Sequence, residues 1–334
     1  MVELFKRPHI DFIGLRWFPI SASFIIMFGG LAVILLKGFN YSIEFTGGAL
    51  VQVTFQKPVE LHAVRRALEA KGLTPEVQSV EGKPTFILRE KGLEEKVKTL
   101  GDEMEAALKA GLPENPLVID RREYIGPVIG RELKRKTFWA IGLSLLGIII
   151  YVGFRFSNPV WGLAGLIALF HDVIGTAALV SLTGKEMDLL IVSALLTIAG
   201  FSIEDTIIIY DRMREMGRIM RRESLSEVID TALNDTLSRT VITVLLVQII
   251  CVVLWVAGGE VIHNFALCLV VGNILGTYSS IGVAAPLVYE FDLRYGRARP
   301  PAPTPGGKAP APAAQVPGAN TPPSGGGQVK KGRR

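Results

Sequence analysis

Six runs of apolar residues dominate this chain: 18–36, 137–154, 159–182, 187–210, 239–257 and 263–289. Each is about long enough to cross a hydrocarbon layer roughly 30 Å thick. Inside lipid every backbone N–H and C=O must find its partner within the protein, which for runs of this length leaves the α-helix. The 334-residue chain is therefore expected to be an α-helical integral membrane protein with six transmembrane helices. Its 49% hydrophobic content supports this because it comes in blocks rather than spread through soluble cores. No convincing small-residue cleavage site follows the first block in 38–48, so that block is expected to remain as a helix.

A net charge of +5 and a pI near 9.2 would suggest nucleic acid as a partner for a soluble protein. Here the basic residues gather beside the ends of the apolar runs instead. Lys6, Arg7 and Arg16 lie in 1–17, Arg155 follows the second run, and Arg212, Arg214, Arg218, Arg221 and Arg222 lie in 211–238. Arg294, Arg297 and Arg299 follow the last run. With six spans all of these fall on one face, while the opposite short connections carry only Lys185 with Glu186, and Glu260. The positive-inside rule then predicts a cell-membrane protein with cytoplasmic termini and with 37–135 outside, and no nucleic-acid face. Cys251 and Cys268 both fall within spans, so neither a disulfide framework nor metal-ligand spacing is present, and no metal or cofactor is expected. Phosphate-loop, zinc-hydrolase and serine-hydrolase signatures are absent from the sequence, which argues against an enzyme.

The segment 37–135 reads as one small domain. Strand-like stretches at 49–55, 76–80, 85–89 and 117–124 alternate with amphipathic helices at 61–71 and 93–109. This βαββαβ order is that of a ferredoxin-like α+β domain, placed between transmembrane helices 1 and 2. The connection 211–238 alternates charge with Ile219, Leu225, Val228 and Ile229, as an amphipathic helix at the cytoplasmic membrane surface does, and membrane lipid is one surface it could rest on. The tail 299–334 is rich in proline and glycine, has almost no large apolar residue, and is expected to stay disordered.

Chemistry concentrates in 200–214, where Glu204 and Asp205 sit inside an apolar run. An acid at the centre of a spanning helix costs about 2.5–3.5 kcal/mol on insertion scales, so it marks a functional site whose partner should be sought. That partner is expected to be Arg239, at the head of the fifth run, which an antiparallel return brings to similar depth. Ser202, Asp205 and Thr206 share one helical face, and Glu204 projects about 100° away. Burial favours the neutral acid and a nearby guanidinium the charged one, so the two states of Asp205 lie close in energy, as a proton carrier requires. Alternatives remain open: a permanent ion pair that only fixes packing, or Arg239 as an interfacial anchor. Asn234 and Thr243 could line an aqueous face with Arg239. His171 and Asp172 make a third polar spot, either extending a proton path or satisfying nearby backbone; as helix neighbours they are not expected to face each other. Gly272 and Gly276, continued by Ser280, form a small-residue face for tight helix packing.

The strings YSIEFTGG (41–48), EYIGPVIGREL (123–133), ALFHDV (168–173), GFSIEDTIIIYDRMRE (200–215), LNDTLSRT (233–240) and GTYSSIGVAAPL (276–287) closely resemble the SecF family of protein-export membrane proteins. The resemblance covers about 5–293 and excludes the tail. It implies kinship with resistance-nodulation-division exporters and a partner, SecD, that supplies a second six-span half. It further implies an accessory role beside the SecYEG and SecA machinery, using the proton gradient to promote export of preproteins. The family's proton-transporting aspartate and arginine fall on Asp205 and Arg239. This chain has Glu204 where the family usually has an amide, and Glu44 where it usually has aspartate. The rival readings are a proton-driven exporter of small amphiphiles, which would need a larger cleft-forming domain and a fused second half, and a passive scaffold of a membrane assembly.

Overall fold

The computed structural model describes residues 9–80, 82–91, 97–156 and 159–295. The expected tail 299–334, residues 1–8 of the amino-terminal segment, and Arg297 lie outside them. In chain order the elements are α1 (Trp17–Lys37), β1 (Asn40–Tyr41), α2 (Ile43–Thr46), β2 (Gly48–Phe55), α3 (Leu61–Glu69), β3 (Glu76–Ser79), β4 (Thr85–Lys91) and α4 (Val97–Gly111). There follow β5 (Leu117–Ile125), α5 (Pro127–Arg155), α6 (Pro159–Thr183), β6 (Glu186–Met187), α7 (Leu189–Ile219), α8 (Leu225–Ala257) and α9 (Glu260–Ser279). A π-helical turn, Ser280–Ala284, joins α9 to α10 (Ala285–Tyr295). Six helices are long and apolar enough to cross a membrane: α1, α5, α6, α7, α8 and the last rod, Val261–Arg294.

Three of these helices outrun the apolar runs that predict them. α5 starts at Pro127 rather than 137, α7 continues past 210 to Ile219, and α8 starts at Leu225 rather than 239. Apolar content says where a helix can sit in lipid, whereas caps say where it ends. Pro127 occupies the first turn of α5, where a missing N–H costs nothing. Ser224 and Glu227 form a reciprocal capping box at the start of α8. The connection 211–238 is thus mostly the ends of two long helices, separated by 220–224.

Within the bundle α6, α7 and the last rod pack on one another, α1 lies on α6, and α8 lies on α7 and α9. Small residues permit the close approaches. A Cβ at Gly30 of α1 would stand 3.0 Å from the Ala178 Cβ of α6, and one at Gly272 of α9 would stand 2.2 Å from Ile198 Cδ1 of α7. The rim is apolar, with Phe18, Leu36, Trp139, Phe154, Ile250 and Val256 exposed. A rim of this kind suits lipid contact. The π turn has a local cause in Pro286, which has no N–H for the carbonyl four residues back and whose ring crowds it, so the helix widens just before it.

The second unit is an antiparallel four-stranded sheet in the order β3-β4-β2-β5. Along β2, Ala49, Val51, Val53 and Phe55 alternate inward, and α3 and α4 cover that face with Val64, Leu68, Met104 and Leu108. Each such fully buried aliphatic side chain contributes about 1.5–3 kcal/mol. A bulge between Gln52 and Val53 shifts the β2–β5 register.

The junction between sheet and bundle is built from the residues after α1. β1 pairs in parallel with β6, Asn40 opposite Glu186 and Tyr41 opposite Met187. Ser42 N–H donates to the Met187 carbonyl at 3.0 Å. The Glu44 Oε2 accepts from Leu189 N–H at 2.8 Å, and Asp188 Oδ1 accepts from Ile191 N–H at 2.8 Å, so two carboxylates cap α7. Burial raises both carboxyls above their ordinary range, opposed by these same backbone hydrogen bonds. Gly47 and Gly48 take φ of 83° and 154°, and a Cβ on Gly48 would fall 2.3 Å from the Glu90 carbonyl oxygen.

Candidate functional site

The middle of the bundle holds a buried polar network drawn from three helices. α6 contributes His171 and Asp172, α7 contributes Ser202 and Thr206, and the α9–π segment contributes Ser279 and Ser280, all six buried. Asp172 Oδ2 accepts from Ser202 Oγ at 2.5 Å and from Ser279 Oγ at 2.7 Å, while Oδ1 lies 2.9 Å from His171 Nδ1. Thr206 Oγ1 and Ser280 Oγ are 2.9 Å apart, and Ser280 Oγ also donates to the Gly276 carbonyl at 2.9 Å. α9 comes close to both helices here: a Cβ on Gly276 would stand 3.4 Å from Ser202 Cβ and 3.7 Å from Asp172 Oδ2, at ordinary contact distance. Below the network Tyr210, fully buried, donates to the Ala284 carbonyl of the π turn at 3.2 Å and packs edge-on to Phe156 and Trp161.

His171 and Asp172 correct the expectation drawn from helix spacing. Their backbones diverge, yet the imidazole and the carboxylate meet, because nearby side chains can bend toward a shared polar centre that lipid does not offer elsewhere. His171 Nε2 and Thr176 Oγ1 are buried without a hydrogen-bond partner among the described residues.

Asp205 follows from the same face of α7 but is only half-buried, and its carboxylate makes no hydrogen bond or ion pair among the described residues. Arg239 on α8 is exposed; it is close enough to act electrostatically on Asp205, as Glu204 is, but does not pair with it. The expected direct pair is therefore not formed in this arrangement. Glu204 is exposed, on the turn of α7 that points away from the network. Thr243 is exposed and bonds back to the Arg239 and Thr240 carbonyls of its own helix. Asn234 is not beside Arg239 on an aqueous face: its side chain clasps the backbone of Ile10 through Oδ1 at 3.0 Å and Nδ2 at 2.9 Å. Asp230, one turn earlier, accepts from Phe12 and Ile13 N–H, so this end of α8 anchors the segment before α1.

The sequence reading misses Ser279 as a ligand of Asp172, gives Ser280 only a packing role, and passes over Tyr210 and Thr176. The signal for the serines is present in SSIGVAAP (279–286), where two hydroxyl residues precede a mid-helix proline in an apolar run. Among the described residues no cluster of three or more His, Cys, Asp or Glu is arranged to hold a metal ion.

Comparison with known proteins places this geometry in context. Residues 105–294 match the family model for the protein export membrane protein SecD/SecF, C-terminal, and residues 32–59 match that of the SecD/SecF GG motif, the segment around Gly47 and Gly48. The protein translocase subunit SecF of Endomicrobium trichonymphae is 38% identical over 298 residues, covering 88% of this chain and 94% of that protein. The subunit of the same name from Magnetococcus marinus is 40% identical over 296 residues, 87% of this chain and 95% of that one. The crystal structure of SecDF, a translocon-associated membrane protein from Thermus thermophilus, superposes with a TM-score of 0.76 at 35% identity, over 86% of this chain and 39% of that longer chain. A further structure, of SecDF in a super-membrane-facing form, gives a TM-score of 0.66 at 34% identity. The Thr206–Ser280 and Asp172–Ser202 contacts thus lie within the matched region, and the chain belongs to the SecD/SecF family of protein-export membrane proteins.

Proposed function

We propose that this chain is an accessory subunit of the Sec preprotein translocase, working with SecD to turn the proton gradient into export. In this reading it is no enzyme; the membrane is the cell's inner membrane, the termini are cytoplasmic, and the sheet module, read as ferredoxin-like from its βαββαβ order and its strand order, lies outside. SecYEG, SecA and preproteins are its further partners. The observation that carries the reading is Asp205: a half-buried acid in a spanning helix, in electrostatic range of Arg239, with neither side chain paired among the described residues. Such an acid can bind and release a proton, and its neighbour can hold the charged form when the helices close.

The consequence for the bundle follows from adjacency. Thr206, the next residue, is hydrogen-bonded to the π turn, so a shift of α7 that brings Asp205 to Arg239 also strains or breaks the Thr206–Ser280 contact. α7 is capped by Glu44 and Asp188 at its other end, which ties the same helix to the junction with the sheet. A proton crossing 100 mV carries about 2.3 kcal/mol, enough to bias two such arrangements by more than an order of magnitude. The test is export of a preprotein arrested late in translocation, in membrane vesicles with a full proton gradient. Asp205→Asn is expected to lose the gradient-dependent acceleration while the gradient-independent rate persists; equal acceleration in variant and wild type overturns the proposal.

A further inference from the structure

Between the sheet and the bundle lies a polar cavity of about 340 Å³, lined by Glu76, Gln78 and Arg89 of the sheet, by Lys185, Glu186 and Asp188 of the α6–α7 connection, and by His263 and Asn264 of α9. Two carboxyl groups meet in it from opposite sides. Glu76 projects from β3, the edge strand, and Glu186 from β6, and the two are within hydrogen-bonding reach. Glu186 is buried, and among the described residues one guanidinium stands beside it: Arg89 Nη1 is 3.4 Å from Glu186 Oε2 and is shared with Gln78 Oε1 at 3.1 Å.

The other charges around the pair are engaged elsewhere or more distant. Lys185 Nζ donates to Asn264 Oδ1 at 2.6 Å, Lys91 Nζ donates to Asn40 Oδ1 at 2.8 Å, and His263 is bound to Trp255. Asp188 and Glu44 cap α7 and add negative charge to the same region. Two carboxylates with one adjacent cation in a partly desolvated cleft cannot both ionise cheaply, whereas one proton placed between them turns repulsion into a hydrogen bond.

We propose that Glu76 and Glu186 form a shared-proton latch between the sheet module and the helix bundle. With the proton present the edge strand is held to the α6–α7 connection; when it leaves, the two carboxylates repel and the edge strand moves away from the bundle. The ligand is a hydrogen ion from the solution on the sheet side, and the site is separate from Asp205, so either proposal stands or fails without the other.

Burial first, and then the bond from Glu76, pushes the Glu186 carboxyl up to about 8, with Arg89 pulling the other way. A carboxyl raised in the native state above its ordinary value binds its proton more tightly there than in a separated state. Its contribution to the junction is therefore complete below the ordinary carboxyl range and is lost as pH rises through about 8.

The full chain in lipid nanodiscs, with Cys251→Ala and Cys268→Ala and nitroxide labels at Ala70→Cys on the sheet module and Val256→Cys at the end of α8, reports the distance between the two units by pulsed electron resonance. In an otherwise unaltered chain the distribution is expected to be single at about pH 6 and to gain a longer component as pH rises through about 8. Glu186→Gln, which keeps the shape and cannot ionise, should hold the low-pH distribution throughout. Glu76→Gln, which removes the opposing carboxylate and leaves an amide that can donate to Glu186, should likewise hold the low-pH distribution throughout. Infrared difference spectra of the same samples should show a protonated-carboxyl stretch that titrates near this pH in the parent and vanishes in Glu186→Gln. A parent distribution unchanged across the range, or the same transition in Glu186→Gln, overturns the latch.

Discussion

Asp172 draws three side-chain hydrogen bonds, whereas Asp205 on the adjoining helix has none among the described residues. Alike in residue type, the two acids differ in what their loss does. Replacing Asp172 by alanine leaves the Ser202 hydroxyl without its acceptor in a dry interior, at a cost of about 1–3 kcal/mol, while Ser279 keeps the Gly276 carbonyl at 3.0 Å. Asp172→Ala is thus expected to lower the thermal midpoint of the purified protein in mild detergent, and Asp172→Asn, which keeps one acceptor oxygen, to recover most of the loss. If alanine and asparagine unfold at the parent temperature, the network does not hold α6, α7 and α9 together. No comparable penalty is expected for Asp205→Asn, because no hydrogen bond is lost with its charge.

Helix ends carry the next level of control. The Ser224–Glu227 capping box starts α8 fourteen residues before the apolar run, and Ser224→Ala removes one half of it, costing about 1 kcal/mol. Hydrogen exchange is expected to rise over the first turn of α8 and in 10–13, which Asp230 and Asn234 of that helix hold by hydrogen bonds, and to stay unchanged in 245–257; uniform protection across α8 would contradict this. The same distinction explains what could be read from the residues alone. Six apolar runs announce six spanning helices because lipid permits little else, and the strand and helix alternation of 49–124 is visible because each face buries alternate residues. The placement of Asp172 at the centre was not legible, since hydrogen bonds between helices depend on azimuth, and azimuth depends on packing between residues distant in the chain, such as Gly272 against Ile198. Nor was the role of Asn234, whose partner Ile10 is separated from it by most of the sequence. The π turn was signalled only by Pro286, a residue that kinks, widens or ends helices according to context.

At the scale of the whole molecule, α7 is the element that touches everything the proposed function requires. Its first turn is capped by Glu44 from the segment beside the sheet, its middle joins the Asp172 network, and Asp205 follows one turn later. A rigid helix with contacts of this kind at both ends transmits a displacement rather than absorbing it, provided that one end has two arrangements available. In the proposed function Asp205 with Arg239 apart is one such arrangement, and their closure is the other. The most direct measurement is proton uptake into proteoliposomes containing the chain with its proposed SecD partner, driven by an imposed membrane potential. Uptake is predicted for the parent and for Glu204→Gln, and its loss for Asp205→Asn in protein that still assembles; undiminished uptake by Asp205→Asn would contradict the account.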